Sequence, residues 1–167
     1  LRLVDVGDPS APRPIAGLDT PGNAAGVRVA GGHVYVADAY GGVVVIAAAR
    51  PDFPTLAGAS DTPGWAADVF VTGSLAFVAD EDAGLRVVDV GQPSAPREVG
   101  ACDTPGSARA VHVDGGYAYV ADADAGLRVI DVRDPAAPAE VGAWTGAAEI
   151  LDVFVAGGHA YLPTGKR

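Results

Sequence analysis

The sequence predicts an all-β fold assembled from four equivalent units, and three observations carry that prediction. The segment Asp19-Thr20-Pro21-Gly22 recurs as Asp61-Thr62-Pro63-Gly64 and as Asp103-Thr104-Pro105-Gly106, each step being 42 residues. The same step links Val27, Val69, Val111 and Val153; Tyr35, Phe77, Tyr119 and Tyr161; Pro12, Pro54, Pro96 and Pro138; and Leu1, Val43, Leu85 and Leu127. Within each step the apolar residues are Val-rich and alternate with a period of two, the pattern of half-buried strands, and no window has helical spacing. Four such units overrun the 167 residues by a single position, so the repeat accounts for the whole length.

One unit shows the elements in order. Val111-His112-Val113 alternates, Asp114-Gly115-Gly116 reverses the chain, and Tyr117-Ala118-Tyr119-Val120 runs back. Paired glycines supply the positive φ that tight hairpins need, and Gly31-Gly32, Gly73-Ser74 and Gly157-Gly158 hold the equivalent turn. A second turn, Asp122-Ala123-Asp124-Ala125-Gly126, leads into Leu127-Arg128-Val129-Ile130-Asp131-Val132. Asp134-Pro135-Ala136-Ala137-Pro138 carries two prolines, which cannot donate in a ladder, and is a loop. A short fourth strand around Glu140-Val141-Gly142-Ala143 ends the unit.

Four antiparallel strands in a unit of about 40–45 residues make the blade of a β-propeller. The expected fold is therefore a β-propeller of four 42-residue, four-stranded antiparallel blades, either a closed four-bladed ring or a four-blade segment of a larger propeller. The expected units are residues 27–68, 69–110 and 111–152, with 1–26 and 153–167 forming a split blade. Tyr35, Phe77, Tyr119 and Tyr161 are expected to fill the seams between blades. A leucine-rich array would need a period of about 20–29 with regular Leu and Asn, and neither is present.

Leu1-Arg2-Leu3-Val4-Asp5-Val6, Leu85-Arg86-Val87-Val88-Asp89-Val90 and Leu127-Arg128-Val129-Ile130-Asp131-Val132 resemble the signature of LVIVD-repeat proteins. Asp8-Pro9-Ser10-Ala11-Pro12-Arg13, Gln92-Pro93-Ser94-Ala95-Pro96-Arg97 and the Asp-Thr-Pro-Gly turns are similar to that family too. The resemblance implies a prokaryotic propeller, often exported or surface-anchored, and implies no particular reaction. Two segments depart from the pattern: Ala47-Ala48-Ala49-Arg50-Pro51-Asp52-Phe53, and Pro163-Thr164 where Ala-Asp is expected.

With strands named a to d from the ring axis outward, the chain starts at strand c and stops after strand b. Its first two strands are the partners its last two lack. Three outcomes follow: closure within one chain, pairing of two chains through the split blade, or membership of a longer propeller. The absence of methionine predicts a trimmed chain and favours the last of these.

Composition removes several function classes. Lys and Arg number 11 against 21 Asp and Glu, for a net charge of −10, which opposes phosphate backbones and excludes nucleic acid as a partner. A hydrophobic content of 49% is too high for a disordered chain. The longest apolar run, Gly41 to Ala49, is about half the ~20 residues of a membrane helix, so no membrane span is expected in this segment. Cys102 is the single cysteine, which rules out an internal disulfide framework.

No Gly-x-Ser-x-Gly or His-Glu-x-x-His motif is present. His33, His112 and His159 are read as partly buried strand residues. Asp38, Asp80 and Asp122, and likewise Asp19, Asp61 and Asp103, are read as structural turn carboxylates, bonding to the backbone two residues on. Repetition at identical positions points to architecture over catalysis. Calcium enters as a minor alternative through Asp80-Glu81-Asp82 and Asp122-Ala123-Asp124, although the EF-hand ligand spacing is missing; no metal or other cofactor is otherwise expected.

Function in a repeat fold lies where equivalent positions differ. Steps through the segment leading into strand a give Asn23, Trp65, Ser107 and Glu149; Ala25, Ala67, Arg109 and Leu151; and Gly26, Asp68, Ala110 and Asp152. Trp65, Asp68, Arg109, Glu149 and Asp152 are thus the candidate ligand-binding residues, joined by Tyr40, Glu81 and Asp124 from the b-to-c loops of the same face. The expected function is a non-enzymatic scaffold in an exported or surface protein, binding a protein or small polar ligand at the axial loop face. The alternative is a lactonase-like, metal-assisted hydrolase in which Asp68, Glu149 and Asp152 hold the metal.

Overall fold

The computed structural model describes residues 1–146 and 148–165. Ala147, Lys166 and Arg167, which fall in the expected units 111–152 and 153–167, lie outside the described residues. Among the described residues every element is a strand. The chain opens with a hairpin, β1 (Arg2–Asp5) and β2 (Arg13–Gly17). Three four-stranded sheets follow: β3 (Gly26–Ala30), β4 (His33–Ala37), β5 (Val43–Ala47), β6 (Thr55–Ser60); β7 (Asp68–Thr72), β8 (Leu75–Ala79), β9 (Leu85–Asp89), β10 (Arg97–Cys102); and β11 (Ala110–Asp114), β12 (Tyr117–Ala121), β13 (Leu127–Asp131), β14 (Ala139–Trp144). A last hairpin, β15 (Phe154–Ala156) and β16 (His159–Tyr161), ends the array. Among the described residues no helix is long and apolar enough to cross a membrane.

Each sheet is an antiparallel meander in strict chain order. The inner hairpins turn on Gly31-Gly32, Gly115-Gly116 and Gly157-Gly158, with both glycines at positive φ, as a two-residue turn matching the strand twist requires. The third and fourth strands of every sheet shift register at the same place, between Val45 and Ile46, Glu98 and Gly100, and Val129 and Ile130. The hairpin β1–β2 repeats that shift between Leu3 and Val4. These bulges bend and twist the outer edge of each sheet.

The sheets pack face to face. Tyr35, Ala37, Val43 and Val45 of one sheet meet Val69, Ala76, Val78 and Val88 of the next. Phe77, Ala79, Leu85 and Val87 meet Val111, Ala118, Val120 and Ile130 in the same way. Small and β-branched residues allow this approach, and their removal from water is the main stabilising contribution to each seam.

Neighbouring sheets are also joined by backbone. Ala39, Glu81 and Ala123 sit at left-handed φ of 54°, 43° and 47°. Each makes an isolated bridge to the segment leading into the next sheet, at Ala66, Ala108 and Ile150 respectively. A left-handed non-glycine residue costs about 1–2 kcal/mol, and the inter-sheet hydrogen bonds hold it there.

Of the expected split blade, β1–β2 and β15–β16 form two separate two-stranded sheets. Tyr161 accordingly fills no seam and is exposed, unlike Tyr35 and Phe77, which are buried.

Candidate functional site

The recurrent carboxylates are consumed by the fold. Asp38, Asp80 and Asp122 follow β4, β8 and β12 and are fully buried. They do not bond to the backbone two residues on. Each instead reaches back into the Thr-Pro-Gly turn that precedes its sheet. One oxygen accepts from the hydroxyl of Thr20, Thr62 or Thr104 at 2.5, 2.7 and 2.6 Å. The other accepts from the backbone N–H of Gly22, Gly64 or Gly106 at 2.6, 2.8 and 2.9 Å. Burial pushes the carboxyls of Asp80 and Asp122 upward, against the opposing pull of these hydrogen bonds. Among the Asp-Thr-Pro-Gly aspartates, Asp19 pairs with the exposed Arg2 at 3.1 Å, and the exposed Asp103 pairs with the largely buried Arg86 at 2.7 Å. Asp61 faces a unit with Val44 at the arginine position.

The variable residues gather on one face in two adjoining places. The first is a cavity of about 320 Å³ lined by Ala25, Gly26, Arg28, Ala67, Asp68, Arg109, Ala110, Leu151 and Asp152. All four repeats contribute, because each places the start of its innermost strand there. Asp68 accepts from the Val111 N–H at 3.2 Å, tying β7 to β11. Desolvation raises its carboxyl first and foremost, and the neighbouring Asp152 adds to that while Arg28 opposes it. Asp152 caps its own chain through the Val153 N–H at 2.7 Å.

The second place is a cavity of about 320 Å³ lined by Tyr40, Pro63, Gly64, Trp65, Glu81, Asp82 and Ala83. Tyr40 and Trp65 meet edge to face with ring centroids 4.7 Å apart. Arg109 joins the two cavities, pairing with Glu81 at 3.0 Å. The candidate set therefore divides. Asp68, Arg109 and Asp152 share one cavity, Trp65 lies in the other beside Tyr40 and Glu81, and Glu149 lines neither. Asp124 lines neither cavity.

The hydrolase alternative needs Glu149 beside Asp68 and Asp152, and Glu149 does not line the cavity those two share. Among the described residues no group of three His, Cys, Asp or Glu side chains is placed to hold a metal ion. The candidate calcium carboxylates have prior commitments: Asp80 and Asp122 to the turns, and Glu81 to Arg109.

Sequence reasoning passed over a row on the inner strands. Arg28, Phe70, His112 and Phe154 occupy one repeat position. The Arg28 guanidinium lies 5.8 Å from the Phe70 centroid, Phe70 and His112 are 4.9 Å apart, and His112 and Phe154 are 4.9 Å apart. Burial lowers the His112 pKa, opposed mainly by Asp114. The signal was the change of chemistry at this position, from cation to aromatic to imidazole, beneath Asp68 and Asp152. His33 and His159 have a local role, with Nδ1 against the Gly31 and Gly157 carbonyls at 3.1 and 2.8 Å.

Comparison with known proteins matches the architecture. The computationally designed Ika4 protein superimposes with a TM-score of 0.73 at 10% identity, over 87% of this chain and 88% of that one. The computationally designed Ika8 protein gives 0.71 at 11% identity over 91% of this chain, which spans 46% of the Ika8 chain. At such identities the likeness concerns the fold alone, a β-propeller-like array. No curated protein sequence matches. The LVIVD repeat matches three times in tandem, at residues 21–62, 63–104 and 105–145. With three copies in register with the three complete sheets, the chain belongs to the LVIVD-repeat family.

Proposed function

We propose that the protein is a non-enzymatic binding module that recognises a polar, mixed-charge ligand, a peptide segment of a partner protein or a small molecule, at its inner loop face. One observation carries this reading. The residues that differ between repeats, Arg28, Asp68, Arg109 and Asp152, converge on one cavity to which every repeat contributes, whereas the invariant carboxylates are spent on turns. Two guanidinium groups and two carboxylates in one concavity suit a ligand carrying both charges, since charge-assisted hydrogen bonds give orientation as well as affinity. The Tyr40–Trp65 pair beside it supplies the rigid aromatic surface common at binding hot spots.

The net charge of −10 and the family's frequent export support a place outside the cytoplasm, at a prokaryotic cell surface or in the periplasm. Fractionation of cells producing the native gene would show it: recovery with the cytosol contradicts that placement. For binding, the tetrapeptide Arg-Glu-Arg-Glu titrated calorimetrically is expected to give saturable heat. Asp68→Asn with Arg109→Ala is expected to weaken it by at least about tenfold, as loss of two charged contacts implies. Equal affinity in the folded double variant would contradict the assignment.

A further inference from the structure

Tyr40 and Trp65 occupy two positions that flank the backbone bridge of their seam. Tyr40 follows the left-handed Ala39 in the loop between β4 and β5, and Trp65 precedes Ala66, to which Ala39 is bridged. The same two positions hold Asp82 and Ser107 at the second seam, and Asp124 and Glu149 at the third. All three seams nevertheless close on the same bridge. The Ala39 N–H donates to the Ala66 carbonyl at 3.2 Å, the Glu81 N–H to the Ala108 carbonyl at 3.1 Å, and the Ile150 N–H to the Ala123 carbonyl at 3.2 Å. The fold therefore does not need two aromatic rings here, and Tyr40, 75% exposed, adds little buried apolar area.

What the rings build is a corner. Their planes stand 77° apart with centroids at 4.7 Å, so the pair presents two walls nearly at right angles. The corner belongs to the cavity that Glu81 and Asp82 also line. The two carboxylates differ. Glu81 is spent on Arg109, at 3.0 Å, whereas Asp82 is exposed, and among the described residues no basic side chain lines the cavity to pair with it. Ring faces and a free carboxylate both attract positive charge. A corner suits a rounded cation that touches both walls, while a flat guanidinium covers one ring at a time. A trimethylammonium group has the rounded shape and, having no N–H donors, leaves no hydrogen bond unmade on entering an aromatic recess.

We propose that the Tyr40–Trp65 corner is a binding site for a trimethylammonium group, with Asp82 as its counter-ion. The proposal rests on the reading of the inner loop face as a recognition surface, and adds what the aromatic end of that face selects. The second seam, with Asp82 and Ser107 in the equivalent positions, has the charge without the rings and attracts a cation by charge alone. Two sources carry the group: a free small molecule such as choline, and a trimethylated lysine side chain of a partner peptide. Both present the same methyl-coated charge to the corner.

The chain has two tryptophans, so two indole N–H resonances report on it, and Trp144, on β14, serves as the internal reference. Tetramethylammonium chloride is expected to move the Trp65 resonance along a saturating isotherm and to leave that of Trp144 in place, with potassium chloride at the same concentrations as the control. The neutral isostere tert-butanol is expected to bind at least about tenfold more weakly, as a cation–π contact with a counter-ion implies; equal binding makes the recess an apolar one and overturns the proposal. Tyr40→Asp with Trp65→Ser copies the second seam, removing both rings and adding a carboxylate. The folded double variant is expected to lose tetramethylammonium binding by calorimetry; retained or tighter binding means that charge alone attracts the cation, and overturns the proposal. Asp82→Asn, at an exposed position, keeps the fold and is expected to weaken binding by about threefold, the scale of an exposed ion pair; unchanged affinity overturns Asp82 as counter-ion. Choline and N-acetyl-trimethyllysine amide identify the source: saturable binding of either supports the site, and binding of neither overturns it. If Arg-Glu-Arg-Glu moves the amides of residues 25–28 and 151–154 while tetramethylammonium leaves Trp65 unmoved, this site fails and the reading of the face stands. Tetramethylammonium binding without any response to the peptide fails the mixed-charge cavity alone.

Discussion

Asp80 illustrates how a carboxylate persists in an apolar seam. Its two oxygens satisfy the Thr62 hydroxyl and the Gly64 N–H, so Asp80→Ala leaves two buried donors unpaired. That change is expected to cost about 2–4 kcal/mol, from ~1–2 for each unsatisfied group, read from urea unfolding midpoints. Burial raises the carboxyls of Asp80 and Asp122 above their unfolded value of about 3.9. In the window between those values the folded state holds more protons, so their contribution to stability grows as pH falls. Asp131 has the opposite sign: Arg133 holds it down to about 2, and its contribution is lost as pH falls below ~3.9 toward that value. The thermal midpoint is therefore expected to rise from neutrality into mild acid and to drop in strong acid. The first limb should flatten in the Asp80→Asn, Asp122→Asn double variant. The sequence made these aspartates legible as structural by their repetition, but not their partners. A carboxylate followed by a turn fits an Asx turn equally well, and a contact 16 to 18 residues back leaves no local signature. Ala123 makes the same point. Nothing in its side chain announces a φ of 47°, and Ala123→Val is expected to destabilise by about 1–2 kcal/mol through β-branching in the left-handed region.

Elements were more legible than contacts. The Gly-Gly hairpins, the alternating Val runs and the Pro-x-x-Pro loops each dictate their local conformation, and the strands fall where the pattern places them. The run Val43 to Ala49 could pass for helix on its alanines, but its repeat-mates read as strand, and β5 covers Val43–Ala47. The bulge between the third and fourth strands was not legible, because a register shift depends on which residue must face the neighbouring sheet. Gly58 and Gly100 are the residues that face it. Gly100→Ala is expected to destabilise by a few kcal/mol, in the range of about 1–3 for overpacking a tight contact, since the added carbon would meet the Pro135 carbonyl at 2.1 Å. Gly142→Ala, at the equivalent position, is expected to leave the unfolding midpoint unchanged or raised, since the added carbon would meet only the Val129 Cβ, at 3.9 Å. Equal losses at both positions would contradict this difference in packing between Gly100 and Gly142.

At the scale of the whole molecule, the 42-residue period carried the architecture, and the family match and the designed propellers agree with it. Period alone could not say how the ends meet, because each half of a split blade looks complete in its own segment of sequence. Of the candidate site, Asp68, Arg109 and Asp152 were legible as points where equivalent positions change chemistry, and they share a cavity. Glu149 obeyed the same rule and lies elsewhere, since the rule reads variation and not the direction of a side chain. Arg28 obeys it too, and so does His112, which the sequence presents only as a partly buried strand residue. The central claim is that the variable residues of four repeats act as one recognition surface on the inner loop face. Residue-resolved amide chemical shifts during titration with Arg-Glu-Arg-Glu test it most directly. The account predicts perturbations confined to residues 25–28, 65–68, 109–112 and 151–154, moving along a single isotherm. Perturbations centred on the outer strands β6, β10 and β14, or none at saturating peptide, would contradict it.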